Sequence, residues 1–245
     1  MAKKTNYSFR IRRIILHSIQ KKHGWLMLLK GVDYYLRYTC VSRSILGRRV
    51  LDVGAGGKSV LTTKFSDCTS MDVYNLAGVD IIASATHLPF RDNSYDTVTC
   101  VDALEHFSRK ERNLALEEIK RVTRLRAIVH TPIDDGRRFL GRRYDIMFQS
   151  WHKEAKGCEE KNTSEHIKNI EPSPMELEMH DFKLNETHNA ALWLTYMRLQ
   201  HMPTAFPISL ISAWMYYLLN KKKDKQPPFW GALCIFNKNV LESNS

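Results

Sequence analysis

Apolar residues in this chain first recur at helical spacing and then gather into short runs that alternate with helical stretches. Ile11, Ile14, Ile15 and Ile19 form one stripe within residues 8–22, with Arg10, Arg12, Arg13, Gln20 and Lys21 mostly off it, which predicts a basic amphipathic helix. After Gly24, residues 25–38 carry Trp25, Leu28, Leu29, Tyr34, Tyr35 and Leu36 and predict a second helix. Strands follow over about residues 49–53, 68–73, 79–83, 96–101 and 127–131, with a helix over about 109–123. This order predicts a doubly wound α/β sheet. Residues 133–170 are polar and read as an acceptor-side loop. Ser173 is placed as an N-cap of a short helix, with Glu176 three residues on. Residues 182–189 predict a sixth strand and residues 229–236 a last one. Between them, residues 190–220 read as apolar helix broken at Pro203 and Pro207, a helical insertion that roofs the acceptor side. The chain thus divides into an N-terminal helical extension, residues 1–48, and one domain, residues 49–245.

The richest segment is Val50-Leu51-Asp52-Val53-Gly54-Ala55-Gly56-Gly57-Lys58-Ser59. An apolar run ends in a glycine-dense turn at the carboxyl end of the first strand, where open α/β sheets bind nucleotide-like ligands. A phosphate-binding P-loop would need glycine at position 52, which is Asp52. A dinucleotide fingerprint would need glycine at position 59, which is Ser59. Acid-x-Gly-x-Gly fits Asp52, Gly54 and Gly56. Asp72, about twenty residues on at the end of the second strand, is placed to accept from ribose hydroxyls.

Five phrases then follow in order: His87-Leu88-Pro89-Phe90, Asp92-Asn93-Ser94-Tyr95-Asp96-Thr97-Val98, Leu104-Glu105-His106, Glu118-Ile119-Lys120-Arg121-Val122 and His130-Thr131-Pro132. Together with the glycine turn they closely resemble the type-11 branch of the class I S-adenosylmethionine-dependent methyltransferases over residues 50–132. Across residues 133–236, Arg138-Phe139-Leu140-Gly141, Ser164-Glu165-His166, Pro172-Ser173-Pro174 and Pro227-Pro228-Phe229-Trp230-Gly231-Ala232 resemble methyltransferases encoded among surface-polysaccharide and glycan genes. The resemblance implies a Rossmann-like seven-stranded methyltransferase sheet with S-adenosylmethionine as cofactor. It implies that Gly54 and Gly56 admit the methionine part, that Asp52 orients the turn and the cofactor's amino group, and that Asp72 binds the ribose. The acid that often meets adenine is replaced here by Ser84, followed by Ala85 and Thr86. Asp102, past the fourth strand, is placed at the cofactor's amino-acid end.

Composition changes the picture mainly through charge. Residues 1–49 hold twelve Lys/Arg and one acid, Asp33, while the remaining residues hold twenty-five of each sign. The whole formal excess of +11 therefore precedes the first strand. Such a block suits an anionic lipid surface or a phosphorylated substrate, or is a solvated extension. Nucleic acid is disfavoured as a partner, because the basic excess is not interleaved with the catalytic edge and no base-reading Asn-Pro-Pro-Tyr phrase occurs. Five scattered cysteines without zinc spacing read as reduced, buried thiols of a cytoplasmic protein. No secretory leader is read, and no apolar run approaches the roughly 20 residues that span a bilayer.

Methyl transfer to a hydroxyl needs an aligned nucleophile and a base. Histidine suits that work, and His106, His130 and His166 are the candidates at the active edge, with His152 also in the long loop. Glu165 is placed to orient His166. No metal site is read; the adjacent Asp134 and Asp135 read as solvated. The leading expectation is O-methylation of a sugar hydroxyl in a surface glycan or its lipid-linked precursor. Residues 1–49 and the apolar run 206–220 either lie peripherally at the inner membrane face or, the favoured reading, pack on the core and cover the acceptor pocket. Methylation of an apolar quinone or isoprenoid, and a membrane-docked scaffold without turnover, are the alternatives.

Overall fold

The computed structural model describes residues 29–57, 59–169, 171–203 and 206–238. The basic helix expected over residues 8–22 lies outside them. Helices α1 (Val32–Ser44), α2 (Leu61–Lys64), α3 (Arg109–Val122), α4 (Gly141–Lys156), α5 (Lys161–Asn169), α6 (Pro174–Glu178), α7 (Ala190–Gln200) and α8 (Phe206–Asn220) surround seven strands. These are β1 (Val50–Val53), β2 (Cys68–Asp72), β3 (Ile81–Ile82), β4 (Tyr95–Val101), β5 (Thr123–Pro132), β6 (Lys183–Asn189) and β7 (Phe229–Asn237). One sheet runs β3-β2-β1-β4-β5-β7-β6. β7 alone runs against the other six strands, so the β5–β7 and β7–β6 pairs are antiparallel and the rest parallel. This is the expected doubly wound α/β architecture with a helical insertion, α7 and α8, before the last strand.

Strand order reverses at β1, which pairs with β2 on one side and β4 on the other. Crossovers diverge at such a point and leave a crevice beyond the carboxyl ends of the strands. The strands are buried on both faces, as a helix-covered parallel sheet requires. On one face Leu51, Val53, Val98, Cys100, Ala127 and Val129 meet Ala115, Leu116, Ile119 and Val122 of α3. On the other, Tyr38 and Val41 of α1 pack with Leu61, Val101, Ile128 and Leu233. Part of the N-terminal extension is therefore built into the domain core. A third cluster centres on Trp193 stacked on Trp230 at 4.6 Å, with Phe148, Tyr196 and Val32 around them.

The order of motif phrases acquires a structural reason. Glu118 of α3 accepts the Leu88 N–H at 2.7 Å, and Arg121 donates to the carbonyls of Leu88 (3.0 Å) and Phe90 (2.8 Å) and to Asp92 (2.7 Å). The Glu-x-x-Arg pair thus clamps the Leu-Pro-Phe segment. Asp96 does the same at the entry to β1, accepting the N–H groups of Arg48 (2.8 Å) and Arg49 (3.1 Å). Ser108 and Glu111 form a capping box at the start of α3.

Several expectations need correction. Of the helix placed over 25–38, residues 25–28 lie outside the described residues; α1 begins after Gly31 (φ 111°) and runs on to Ser44. Residues 133–170 are not a long loop, since they hold α4 and α5. Pro207 does not break a helix; it lies in the first turn of α8, where proline's missing N–H costs nothing. All five cysteines are free, but of the five only Cys100 and Cys234 are buried, Cys40 and Cys68 are half-buried and Cys158 is exposed.

Candidate functional site

The chain leaves β1 through Gly54-Ala55-Gly56-Gly57, whose glycines take φ of 68°, 60° and 102°. A Cβ on Gly54 would lie 2.5 Å from the Ala103 Cβ, so glycine lets this turn close on the segment after β4. A Cβ on Gly56 would meet nothing within 4 Å. Its backbone therefore faces open space, and its left-handed φ favours glycine. Asp72, at the end of β2, accepts the Gly56 N–H at 2.8 Å through Oδ2 and the Tyr74 N–H at 3.0 Å through Oδ1. Each oxygen keeps a lone pair, so one acid can shape the turn and still accept from ribose hydroxyls.

Asp52 lies beneath the turn. It is 1% exposed and accepts from the hydroxyls of Ser59 and Thr99, the latter at 2.6 Å. These bonds tie the end of β1 to Ser59 after the turn, but the buried carboxylate offers no surface to a cofactor's amino group. Burial pushes its pKa up to about 6, against the lowering effect of the two hydroxyl donors. A carboxyl that holds its proton more tightly folded than unfolded costs stability once ionised. The cost is absent below the ordinary 3.8 and grows as pH rises through about 6, reaching on the order of 3 kcal/mol. Urea melts from pH 4 to pH 7.5 are therefore expected to show a fall in stability, shared with Glu171, whose carboxyl is raised by burial to about 7. Asp52→Asn is expected to make that fall shallower; an unchanged slope in that variant contradicts the assignment.

Ser84, Ala85 and Thr86 follow β3 next to Asp72, since the Ala83 N–H donates to the Asp72 carbonyl at 3.0 Å. The Ser84 and Thr86 hydroxyls lie 2.9 Å apart and Ala85 is buried. Tyr74, Leu76 and Ile82 are exposed nearby and offer apolar surface for a flat base.

Past β4, Asp102 sits at φ 51°, a conformation that few residues other than glycine, asparagine and aspartate adopt. Its carboxylate pairs with Arg37 of α1, which also binds Asp33. On its other side Asp102 accepts from Nδ1 of His130 at 3.2 Å, while Nε2 of His130 accepts from the Thr187 hydroxyl at 3.2 Å. His130 is fully buried. Burial first, then Arg37 and His188, hold its imidazolium form well below the ordinary pKa. The base role expected of His130 is not supported: both ring nitrogens are engaged and none faces an acceptor. The ring instead fixes Asp102.

The other two candidate histidines come together. Leu104–His106 forms a 3-10 turn after β4, and α5 packs on it, with Asn169 donating to the His106 carbonyl at 2.9 Å. The His106 and His166 rings lie edge to face at 4.9 Å. Glu165 does not orient His166 as expected; it lies 3.3 Å from Nδ1 of His106. His166 is oriented by Asp145 of α4, to which its Nδ1 donates at 3.2 Å. Asp145 is fully buried and also accepts from the Trp230 indole at 2.8 Å. Burial opposes a charged His166, but Asp145 and Glu105 outweigh it and raise its pKa to about 9. Arg37, Asp145 and the inward-facing Glu105 carry this edge without having been singled out from sequence. Asp134 and Asp135 instead bind backbone N–H groups of their own loop and of α4.

The donor set fits S-adenosylmethionine: a backbone cradle at Gly56 that a side chain would fill, a strand-end acid with spare lone pairs, and hydroxyls and apolar surface beyond it. Residues 51–130 match the family model described as methyltransferase domain. An uncharacterized protein of Methanocaldococcus jannaschii is 36% identical over 81 residues, a segment spanning 30% of this chain and about a third, 35%, of that relative. The fold is similar to the YcgJ protein of Bacillus subtilis (TM-score 0.45, 16% identity, 84% of this chain and 99% of that one). It is also similar to a SAM-dependent methyltransferase of Thermotoga maritima (TM-score 0.46, 13% identity, 94% and 96%). The stretch that matches a methyltransferase domain, residues 51–130, holds the glycine turn and the strand-end acid at the reversal of this sheet, where the donor set fits S-adenosylmethionine.

Proposed function

We propose that the whole chain methylates a hydroxyl of a sugar in a surface glycan, presented on a lipid-linked precursor. The observation that carries this reading is the polar character of the edge beside the glycine turn. Ala103 packs against Gly54, and Glu105 and His106, one residue beyond it, face His166 and Glu165. A histidine–carboxylate cluster suits a hydroxylated acceptor better than a quinone, whose ring would need apolar walls. When bound, S-adenosylmethionine supplies an electrophilic methyl group on a sulfonium sulfur that departs with the carbon–sulfur electron pair. The protein's part is to hold the acceptor oxygen in line and receive its proton at the cluster.

A second observation supports a lipid-linked acceptor. Ile208, Ile211, Met215, Leu218 and Leu219 share one face of α8, and each is more than half exposed. Leu210 and Ala213 bury the other face. Lys221, Lys222, Lys223 and Lys225 follow in an exposed 3-10 turn. Apolar surface ending in lysines suits an anionic bilayer, lying on it rather than through it. No helix among the described residues is long and apolar enough to cross a membrane.

Tritium-labelled S-adenosylmethionine incubated with the chain and an isoprenoid-linked glycan extract is expected to label the glycan. Label in a quinone fraction alone would overturn the reading. The triple variant Ile211→Ser/Met215→Ser/Leu218→Ser is expected to lose co-sedimentation with phosphatidylglycerol vesicles; equal sedimentation of both proteins would remove the membrane surface.

A further inference from the structure

We infer that Glu105, His106 and His166 form a binding site for one divalent transition-metal ion at the acceptor edge. One nitrogen from each histidine and one oxygen of Glu105 lie within 4.8 Å of one another. Ligands of a common ion at about 2.1 Å sit about 3.0–3.4 Å apart, so modest side-chain rotation closes the set. The Nε2 of His166 is already 3.7 Å from Oε1 of Glu105, too long for a hydrogen bond but near that spacing.

Two further observations point to a ligand. Glu105 is fully buried; its Oε2 accepts from the Thr131 hydroxyl at 3.1 Å, whereas Oε1 has no hydrogen-bond partner. That oxygen has only the longer ion pair with His166 at 3.7 Å; a buried carboxylate oxygen without a hydrogen bond is costly, and a bound cation would satisfy it directly. His166 has the outer support that metal-binding histidines carry. Its far nitrogen donates to Asp145, and Asp145 is fixed by the Trp230 indole. Such carboxylate–histidine pairs orient the ring and strengthen it as a ligand; the Nε2 proton is released as the ion binds. The 3-10 turn supplies two adjacent ligands and α5 the third, joined by the Asn169 bond to the turn.

Two imidazoles and one carboxylate favour Zn²⁺, Mn²⁺, Fe²⁺ or Co²⁺ over Mg²⁺ or Ca²⁺. Three protein ligands leave positions open. The role of the ion rests on the proposed function: a sugar hydroxyl taking an open position becomes more acidic, and its proton passes to Glu165 or water. No electron is transferred, and the ion is unchanged.

Binding is tested apart from activity. Co²⁺ titrated into the full chain is expected to give visible absorption saturating at one ion per chain, displaced by Zn²⁺. His106→Ala, a half-exposed position, and the near-isosteric Glu105→Gln are each expected to weaken binding at least about tenfold with unchanged circular dichroism. Asp145→Asn is expected to weaken it by about 10–100-fold while keeping the stoichiometry. Absence of saturable absorption, or affinity in His106→Ala and Glu105→Gln equal to that of the parent chain, would overturn the site. Metal binding without methyl transfer to the glycan would instead remove the proposed function and leave the site standing.

Discussion

Gly56→Val is expected to abolish S-adenosylmethionine binding in a protein that still folds. Gly56 takes φ 60°, and a Cβ there would meet no protein atom within 4 Å. Valine at a left-handed φ costs roughly 1–3 kcal/mol of backbone strain, which lowers stability without opening the core. Its side chain would stand in the space the cofactor takes, beside the N–H that Asp72 holds at 2.8 Å. Affinity is expected to fall at least about 100-fold, or about 2.8 kcal/mol, by calorimetry, with a cooperative melt retained. Gly54→Val is the contrast. Its Cβ would collide with Ala103 at 2.5 Å, so that variant is expected to lose folding and binding together. Undiminished affinity in Gly56→Val would mean that the cofactor does not lie across this turn.

The largest stability effect is expected at Arg112. Its guanidinium donates through Nε to Glu176 at 2.7 Å, through a second nitrogen to the same carboxylate at 3.2 Å, and through Nη1 to the Phe107 carbonyl at 2.8 Å. Both side chains of the pair are buried, 4% and 7% exposed. The bond joins α3 to α6 and holds the residue after the Glu105-His106 turn. Arg112→Met leaves Glu176 charged and alone, which costs about 3–5 kcal/mol. For a chain of this size that lowers the melting temperature by about 10 °C. The double variant Arg112→Met/Glu176→Leu removes both charges and is expected to regain most of the loss, because well-packed apolar groups often match a buried ion pair. A single variant as stable as the parent would show that the pair contributes nothing net.

Much of the sheet is legible in sequence because its strands are short apolar runs that end in glycine or acid. Val50–Val53 and Tyr95–Val101 are buried along nearly their whole length, and the second alternates β-favouring Thr97 and Thr99 with Val98, Cys100 and Val101. α4 escaped for the opposite reason. Its inner face buries Asp145 and His152 along with Phe148, and polar residues satisfied by distant partners erase the helical stripe. Asp145 is bound by Trp230 and His166, 85 and 21 residues away, which no local pattern reveals. The same holds for Arg37, whose partner Asp102 lies across the sheet edge. Tautomer and exposure separate the three histidines proposed as bases, and sequence carries neither. His130 is sealed, while His106 and His166 face one another. The apolar run 206–220 was visible, but only the fold shows that one of its faces is left uncovered.

The central claim is that the turn at Gly54–Gly57 and the acid at Asp72 bind S-adenosylmethionine. Calorimetric titration of S-adenosylmethionine into the full chain, with NAD⁺ in a parallel titration, tests it most directly. One saturable site per chain for S-adenosylmethionine, lost in Asp72→Ala, and no heat from NAD⁺ is the predicted result. No binding at millimolar S-adenosylmethionine, or preference for the dinucleotide, would contradict it.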